Sequence, residues 1–218
     1  MTRAVAGLAI AGLLLARAAQ AGQAAAPAVP PATPVAPTEP LDPPFAFAGP
    51  PPPAPPASVA RDESGRVTIR AVRLAAPLRI DGELDEAVYA SVQPISDFIQ
   101  NEPQAGSPAT EKTEVWVTFD DDRVYVSFRC WESQPGRMIA NEMRRDNIAI
   151  VRGDDVAFMF DTFYDRRNSV LFNVNPIGGR MDGQVTNEQQ NNGDWNPIWE
   201  VKVGRFEGGW TVEAGVPF

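Results

Sequence analysis

The stretch "EVWVTFDDDRVYVSFRCW", Glu114 to Trp131, decides the fold. In its first half Val115, Val117 and Phe119 alternate with Trp116 and Thr118. After the Asp-rich turn, Val124, Val126, Phe128 and Cys130 alternate with Tyr125, Ser127, Arg129 and Trp131. A period of two puts successive side chains on opposite faces of a strand, so two such runs around a short polar turn predict a β-hairpin. Cys130 falls on the apolar side, which reads as a small core residue and not a reactive thiol.

The same period continues along the chain. "DVAFMF" offers Val156, Phe158 and Phe160; "SVLFNVN" offers Val170, Phe172 and Val174, with Asn173 and Asn175 on the opposite side. "WEVKV" and "WTVEAGV" flank the glycine-rich "GRFEGG" and predict a second hairpin. "VTIRAV" near Val67 and "RMIANEM" near Met138 add strand candidates. Many short strands separated by turn residues predict an all-β domain, an antiparallel β-sandwich of jelly-roll or immunoglobulin-like two-sheet type. The one helical candidate is a short helix near residues 84–91, within "LDEAVYASV". Asp81-Gly82 ahead of it predicts a tight turn, with Glu83, Asp85 and Glu86 in the first helical turn, where the helix dipole favours anions.

Upstream, "MTRAVAGLAIAGLLLARAAQAGQ" has a basic start, an apolar run from Ala4 to Ala16 and a small-residue ending at Ala21. That is the pattern of a signal peptide over residues 1–21, which predicts export to the periplasm, outer membrane or cell surface. The apolar run is shorter than the roughly 20 residues a membrane-spanning helix needs. Residues 22–60 hold 14 of the chain's 22 prolines and read as a disordered, semi-rigid linker. Residues 61–218 then form the sandwich, which stops within a strand and reads as incomplete at its C-terminal end. Without Arg3 and Arg17 the balance is 17 basic against 28 acidic residues, a net −11. Nucleic acid and anionic lipid both reward a basic face, so neither is an expected partner. The chain has no histidine, which excludes Ser-His-Asp and Cys-His catalysis and His-ligated zinc within it. No phosphate-cradling glycine motif follows a strand.

Four segments in this order resemble the family nine carbohydrate-binding modules: "IDGELDEAVY", "VTFDDDRVYVSFRCWES", "RRDNIAIVRGDDVAFMFDTFYDRRNSVLFNVNPIGGRMDG" and "WNPIWEVKVGRFEGGWTVEAGVPF". The likeness is closest to such domains at the N-terminus of large exported bacterial proteins whose C-terminal region is of outer-membrane type and unknown function. The resemblance implies a β-sandwich, binding of a polysaccharide or oligosaccharide, structural calcium and attachment to glycoside hydrolases in relatives. Two departures stand out. The opening motif of the family ends in Trp, where this chain has Tyr89. Of the two tryptophans that clamp sugar in the family, one precedes the segment matching "GDDVAFMF", where this chain has Ile150 and Val151; the other lies in a later part of the domain. An aliphatic side chain offers no π-face to a pyranose ring.

The expected function is therefore a non-catalytic carbohydrate-binding module. The alternative is a structural or interaction sandwich that packs on a C-terminal outer-membrane domain not contained in this chain. The candidate sugar contacts are Trp195, Asn173, Asn175, Asp182, Asn192 and Arg152, which offer an indole face, amides, a carboxylate and a guanidinium to ring and hydroxyls. "DGQVTNEQQNNGDWNPIWE" reads as a connection between strands, with Trp195 turned outward and Trp199 in phase with the next strand. Asp154, Asp155 and Asp161 are the candidate calcium ligands, since that ion gathers about six to eight oxygens. Glu200 and Glu213, on the polar faces of neighbouring strands, are a conceivable acid pair, because glycoside hydrolysis needs carboxyls about 5–10 Å apart.

Overall fold

A computed structural model describes residues 49–188 and 190–218, so the signal-peptide reading and most of the linker lie outside the described residues. Among the described residues eleven strands run in chain order: β1 Val59–Arg61, β2 Val67–Ile69, β3 Val72–Arg73, β4 Thr113–Phe119, β5 Arg123–Trp131 and β6 Val156–Phe160 come first. β7 Ser169–Val174, β8 Arg180–Thr186, β9 Gln190–Asn192, β10 Glu200–Phe206 and β11 Gly209–Pro217 follow. One helix, α1, spans Ala87–Ser91. Two sheets carry the domain, one ordered β10-β11-β5-β4-β3 and one ordered β6-β7-β8-β9, while β1 and β2 pair separately. All ladders are antiparallel except β3 on β4. The chain is an all-β sandwich.

Alternation sets the core. In the five-stranded sheet Val115, Phe128, Val212 and Val203 lie directly across one another, and so do Val117, Val126, Ala214 and Val201. In the four-stranded sheet Phe158 faces Phe172 across its ladder. The two sets meet in one cluster, with Phe158 stacked on Phe172 at 5.0 Å and 6.1 Å from Phe128. Cys130 is buried there, and burial pushes its thiol up to about 12.

The outer face of the five-stranded sheet is also closed, against the expectation of one apolar face per strand. One cross-strand row runs Trp116, Ser127, Glu213, Lys202, and the first three are buried. The cover is the segment from Ile80 to Gln93. Tyr89 packs edge-on against Trp116 at 5.3 Å, and the Trp116 indole N–H donates to Val92 O at 3.0 Å. Glu213 accepts from Asp81 N at 3.0 Å, Gly82 N at 2.8 Å and the Tyr89 hydroxyl at 2.7 Å. Five residues are too few for a helix that stands on propensity, so α1 is held by the burial of Tyr89.

Several expectations are corrected. Glu83 and Asp85 precede the helix and Glu86 is its N-cap residue with no side-chain cap, so none sits in the first turn. "VTIRAV" is two strands, β2 and β3, in different sheets. "RMIANEM" contains no strand, because Asp154 Oδ2 accepts from Ile139 N and Asp154 N donates to Ile139 O, pinning that segment as a loop. "DGQVTNEQQNNGDWNPIWE" contains part of β8 and all of β9, whose polar residues hide the alternation. Hydrogen bonds to the domain begin upstream of Arg61, since Thr68 Oγ1 donates to Pro50 O at 2.6 Å and Arg70 N to Ser58 O at 2.8 Å.

Gly82 has φ 91°, and a Cβ there would lie 2.7 Å from the carbonyl carbon of Val203. Gly82→Ala is expected to lower stability by about 2–4 kcal/mol, combining left-handed strain with displacement of β10. Gly106, at φ 83° with nothing near, has the strain without the collision, and Gly106→Ala is expected to cost only about 1 kcal/mol. Urea unfolding midpoints at unchanged slope make the comparison.

Burial raises the Glu213 carboxyl above its ordinary value of 4.5, outweighing its hydrogen bonds. The folded chain therefore holds this proton more tightly than the unfolded chain. Its contribution to stability grows as pH falls from neutral through the raised value towards 4.5 and shrinks as pH rises. The stability of Glu213→Gln relative to the parent is expected to fall as pH is lowered over that window, in paired urea titrations; a pH-independent difference would contradict it.

Candidate functional site

The six sugar-contact candidates separate into different environments. Asn175, fully buried, is a loop clamp: its amide donates to Glu142 O at 2.7 Å and its oxygen accepts from Gly179 N at 2.8 Å. Asp182 points to the core side, directly across from Phe172. Its Oδ2 accepts from Arg145 Nη2 at 2.7 Å and from the Trp199 indole N–H at 3.0 Å. The same Arg145 nitrogen donates to Pro197 O at 3.1 Å. Asp182 thus anchors, through Arg145 and Trp199, the turn that carries Trp195. It positions that turn and does not face solvent.

Asn173 lies on the opposite face of the four-stranded sheet, in a row with Ala157 and Met181. Its amide donates to Asp155 Oδ2 at 2.8 Å, and its buried Oδ1 has no partner among the described residues. Burial raises the Asp155 carboxyl. Arg152 is exposed in a single 3₁₀ turn, Ile150–Arg152, at the start of β6. Trp195 is at the other end of that sheet, beside Phe160 and Val170. Five strand residues separate those ends, roughly 17 Å. Ile150, where the resembling family has a tryptophan, is buried in the core.

Trp195 and Gln184 do come together, and Asn192 is the next residue in the row of Gln184. A core-side row runs Phe160, Val170, Gln184, Asn192 across β6 to β9, so the two amides continue a line of apolar side chains. Trp195 stands beside that row, edge-on to Phe172 at 6.0 Å and half-buried. Together with Phe160, Phe163 and Gln184 it lines a groove of about 650 Å³ at the open end of the sandwich. The size suits a small ligand. Phe163, Ile198 and Gln184 were not read as site residues. Phe163 and Ile198 lie outside the strand alternation, and Gln184 lies on a strand too polar to recognise.

The acidic candidates are not gathered. Asp154 holds Ile139 N, while Asp161, beyond the far end of β6, accepts from Asp165 N at 3.1 Å and Arg166 N at 2.6 Å. Among the described residues no group of three or more His, Cys, Asp or Glu is placed to hold a metal ion. Asp154, Asp155 and Asp161 therefore do not fit a calcium site. Glu200 is paired with Arg123 at 2.7 Å, and Glu213 is sealed beneath Gly82 and Tyr89, so this pair does not flank a cleft.

No family model matches the chain, and no curated protein does. Two solved structures of a family nine carbohydrate-binding module from Caldicellulosiruptor kristjanssonii are similar to it. The complex with glucose gives 18% identity and a TM-score of 0.50, covering 68% of this chain and 68% of the other. The complex with cellotriose gives 18% identity and a TM-score of 0.48, covering 68% and 66%. At this identity the likeness is one of fold. The chain spans about two thirds of the length of these structures.

Removing the buried Asp182 carboxylate leaves Arg145 and the Trp199 indole without their acceptor. Asp182→Ala is expected to cost about 2–4 kcal/mol in urea unfolding, discounted for the partial exposure of Arg145. Asn192→Ala, at the exposed end of the row, is expected to stay within about 0.5 kcal/mol. Equal costs would contradict the assigned roles.

Proposed function

We propose that the chain is a non-catalytic carbohydrate-binding module of an exported cell-envelope protein. The observation that carries the reading is the Trp195 groove. The indole and the Gln184 amide line one groove, the Asn192 amide follows Gln184 in its cross-strand row, and Arg145 and Asp182 fix the Trp195 turn from below. Pyranose rings present C–H faces that pack on aromatic surfaces, while their hydroxyls need donors and acceptors at the edge. Gln184 and Asn192 each offer both. The fold likeness supports the reading, because the similar module was solved in complex with glucose. The signal-peptide pattern of residues 1–21 supports export.

A second reading has its own observation. Ile198 is 88% exposed and Phe163 is 70% exposed at the same groove, and clustered apolar exposure marks protein contacts. In that reading the module packs on another envelope domain.

Calorimetry of the full chain with glucose and cellotriose separates them. Measurable binding of cellotriose, weakened at least about tenfold in Trp195→Ala (~1.4 kcal/mol), supports the sugar site. The variant loses an edge contact with Phe172 and is checked for folding by its unfolding transition. No binding by a demonstrably folded parent favours the contact surface.

A further inference from the structure

Asn192 is the only one of the chain's ten asparagines followed by glycine. It ends β9, with Asn192 and Gly193 both exposed and nothing within 4 Å of the position a Gly193 Cβ would take. Gly193 follows directly on the last ladder pair of β9, Gln184 with Asn192. The Asn192 Oδ1 accepts from Asp194 N at 3.1 Å. The ring closed by that bond contains the Gly193 nitrogen, so the side-chain Cγ is held beside it. The bond also polarises the amide carbonyl and would stabilise negative charge on Oδ1 during addition.

We propose that Asn192 is a self-modification site, at which the side-chain amide is converted to a carboxylate by the neighbouring backbone. Loss of the Gly193 amide proton to solvent base frees the nitrogen to attack Asn192 Cγ. A new C–N bond closes a five-membered imide, and the former side-chain nitrogen takes up a proton and leaves as ammonia. Water then adds to either imide carbonyl and opens the ring. One opening gives aspartate, the other an isoaspartyl link through the side chain. No oxidant or enzyme is required, and the balance is water in, ammonia out.

Local geometry distinguishes this position from others of similar chemistry. Asn196 and Asn175 precede proline, which has no N–H to deprotonate. The Asp-Gly pair at Asp81 is restrained because Gly82 N is tied to Glu213 at 2.8 Å, and that at Asp182 because it lies within the β8 ladders. Asn192 pairs with Gln184, which lines the groove with Trp195, so conversion places a negative charge one strand away from that groove. The modification itself does not depend on that groove binding sugar.

The test is peptide mapping by mass spectrometry after incubating the full folded chain at mildly alkaline pH. The same chain in urea serves as the reference for conversion without the fold. Expected is the mass gain of an amide-to-acid change at residue 192, with both aspartyl and isoaspartyl isomers, faster at higher pH. Gly193→Ala is expected to slow it about tenfold, since a Cβ hinders approach to the nitrogen, and Asn192→Gln to abolish it. Each readout is made on digested peptide, so a destabilised variant remains informative. An intact Asn192 in the folded chain, when the urea-treated chain converts, overturns the proposal, and so does conversion spread evenly over the other asparagines.

Discussion

The buried carboxylate of Glu213 is the constraint on which the rest of the domain depends. β11 is flanked by β10 and β5, and its seven residues from Gly209 to Gly215 are all buried. A charge at the centre of such a strand is tolerated only where its lone pairs find donors. Two consecutive backbone amides, at Asp81 and Gly82, and the hydroxyl of Tyr89 supply them. Thr211 Oγ1 donates in turn to Gly82 O at 2.6 Å. The result is a polar latch that holds residues 80–93 over the outer face of the sheet. Trp116 and Tyr89 follow into burial, each contributing on the order of 1.5–3 kcal/mol from area alone. Desolvation still wins over hydrogen bonding at Glu213, so the latch fixes where the segment lies more than it adds net stability.

The outer face of the four-stranded sheet is covered only in part: Asn173 is buried there, while Ala157 and Met159 are exposed. The sandwich is therefore asymmetric, with one sheet closed on its outer face and the other only partly so. Trp195, Gln184 and Asn192 all belong to the second sheet and its loops. Their turn is nevertheless well anchored, because Arg145 ties Pro197 to Asp182 while Trp199 closes the other end. An indole on a fixed turn loses little freedom on contact with a ligand, which favours recognition.

How much of this was legible in the sequence follows from which residues face the core. β4 to β7, β10 and β11 place valine, phenylalanine and tryptophan inward, so their period of two is visible without a structure. β8 places Asp182 and Gln184 inward, with the carboxylate satisfied by Arg145 and by an indole N–H. Polarity on the core side erases the signal, and the strand reads as loop. Tyr89 shows the converse. Its departure from tryptophan was readable, but its purpose was not, because the hydroxyl that tryptophan lacks reaches Glu213 and Ser127 from a segment 124 and 38 residues away respectively. Long-range partners leave no periodic trace. For the site, Trp195 was found because an aromatic in a polar stretch is conspicuous, while Phe163 sat unnoticed in a turn.

The acidic composition misled in one instructive way. Twenty-eight carboxylates invite a cation site, yet many of them hold turns by accepting backbone N–H groups. Asp62 accepts from Ser64 and Arg66, Asp120 from Asp122 and Arg123, Asp165 from Arg167 and Asn168. Bonds to Ser64, Tyr125 and the Arg167 amide respectively lead in holding these carboxyls below the ordinary range. A carboxylate already satisfied by two amides within five residues of itself has little left to offer an ion that needs oxygens from several directions. Such acids substitute for glycine and proline as turn-formers, and their stabilisation is fully present above the unfolded carboxyl range and lost as pH falls through the depressed folded values. Glu213, with its shift in the other direction, works against them. The domain therefore has carboxylates of both kinds: Asp62, Asp120 and Asp165 are held low at turns by the bonds they accept, while burial raises Asp155 and Glu213.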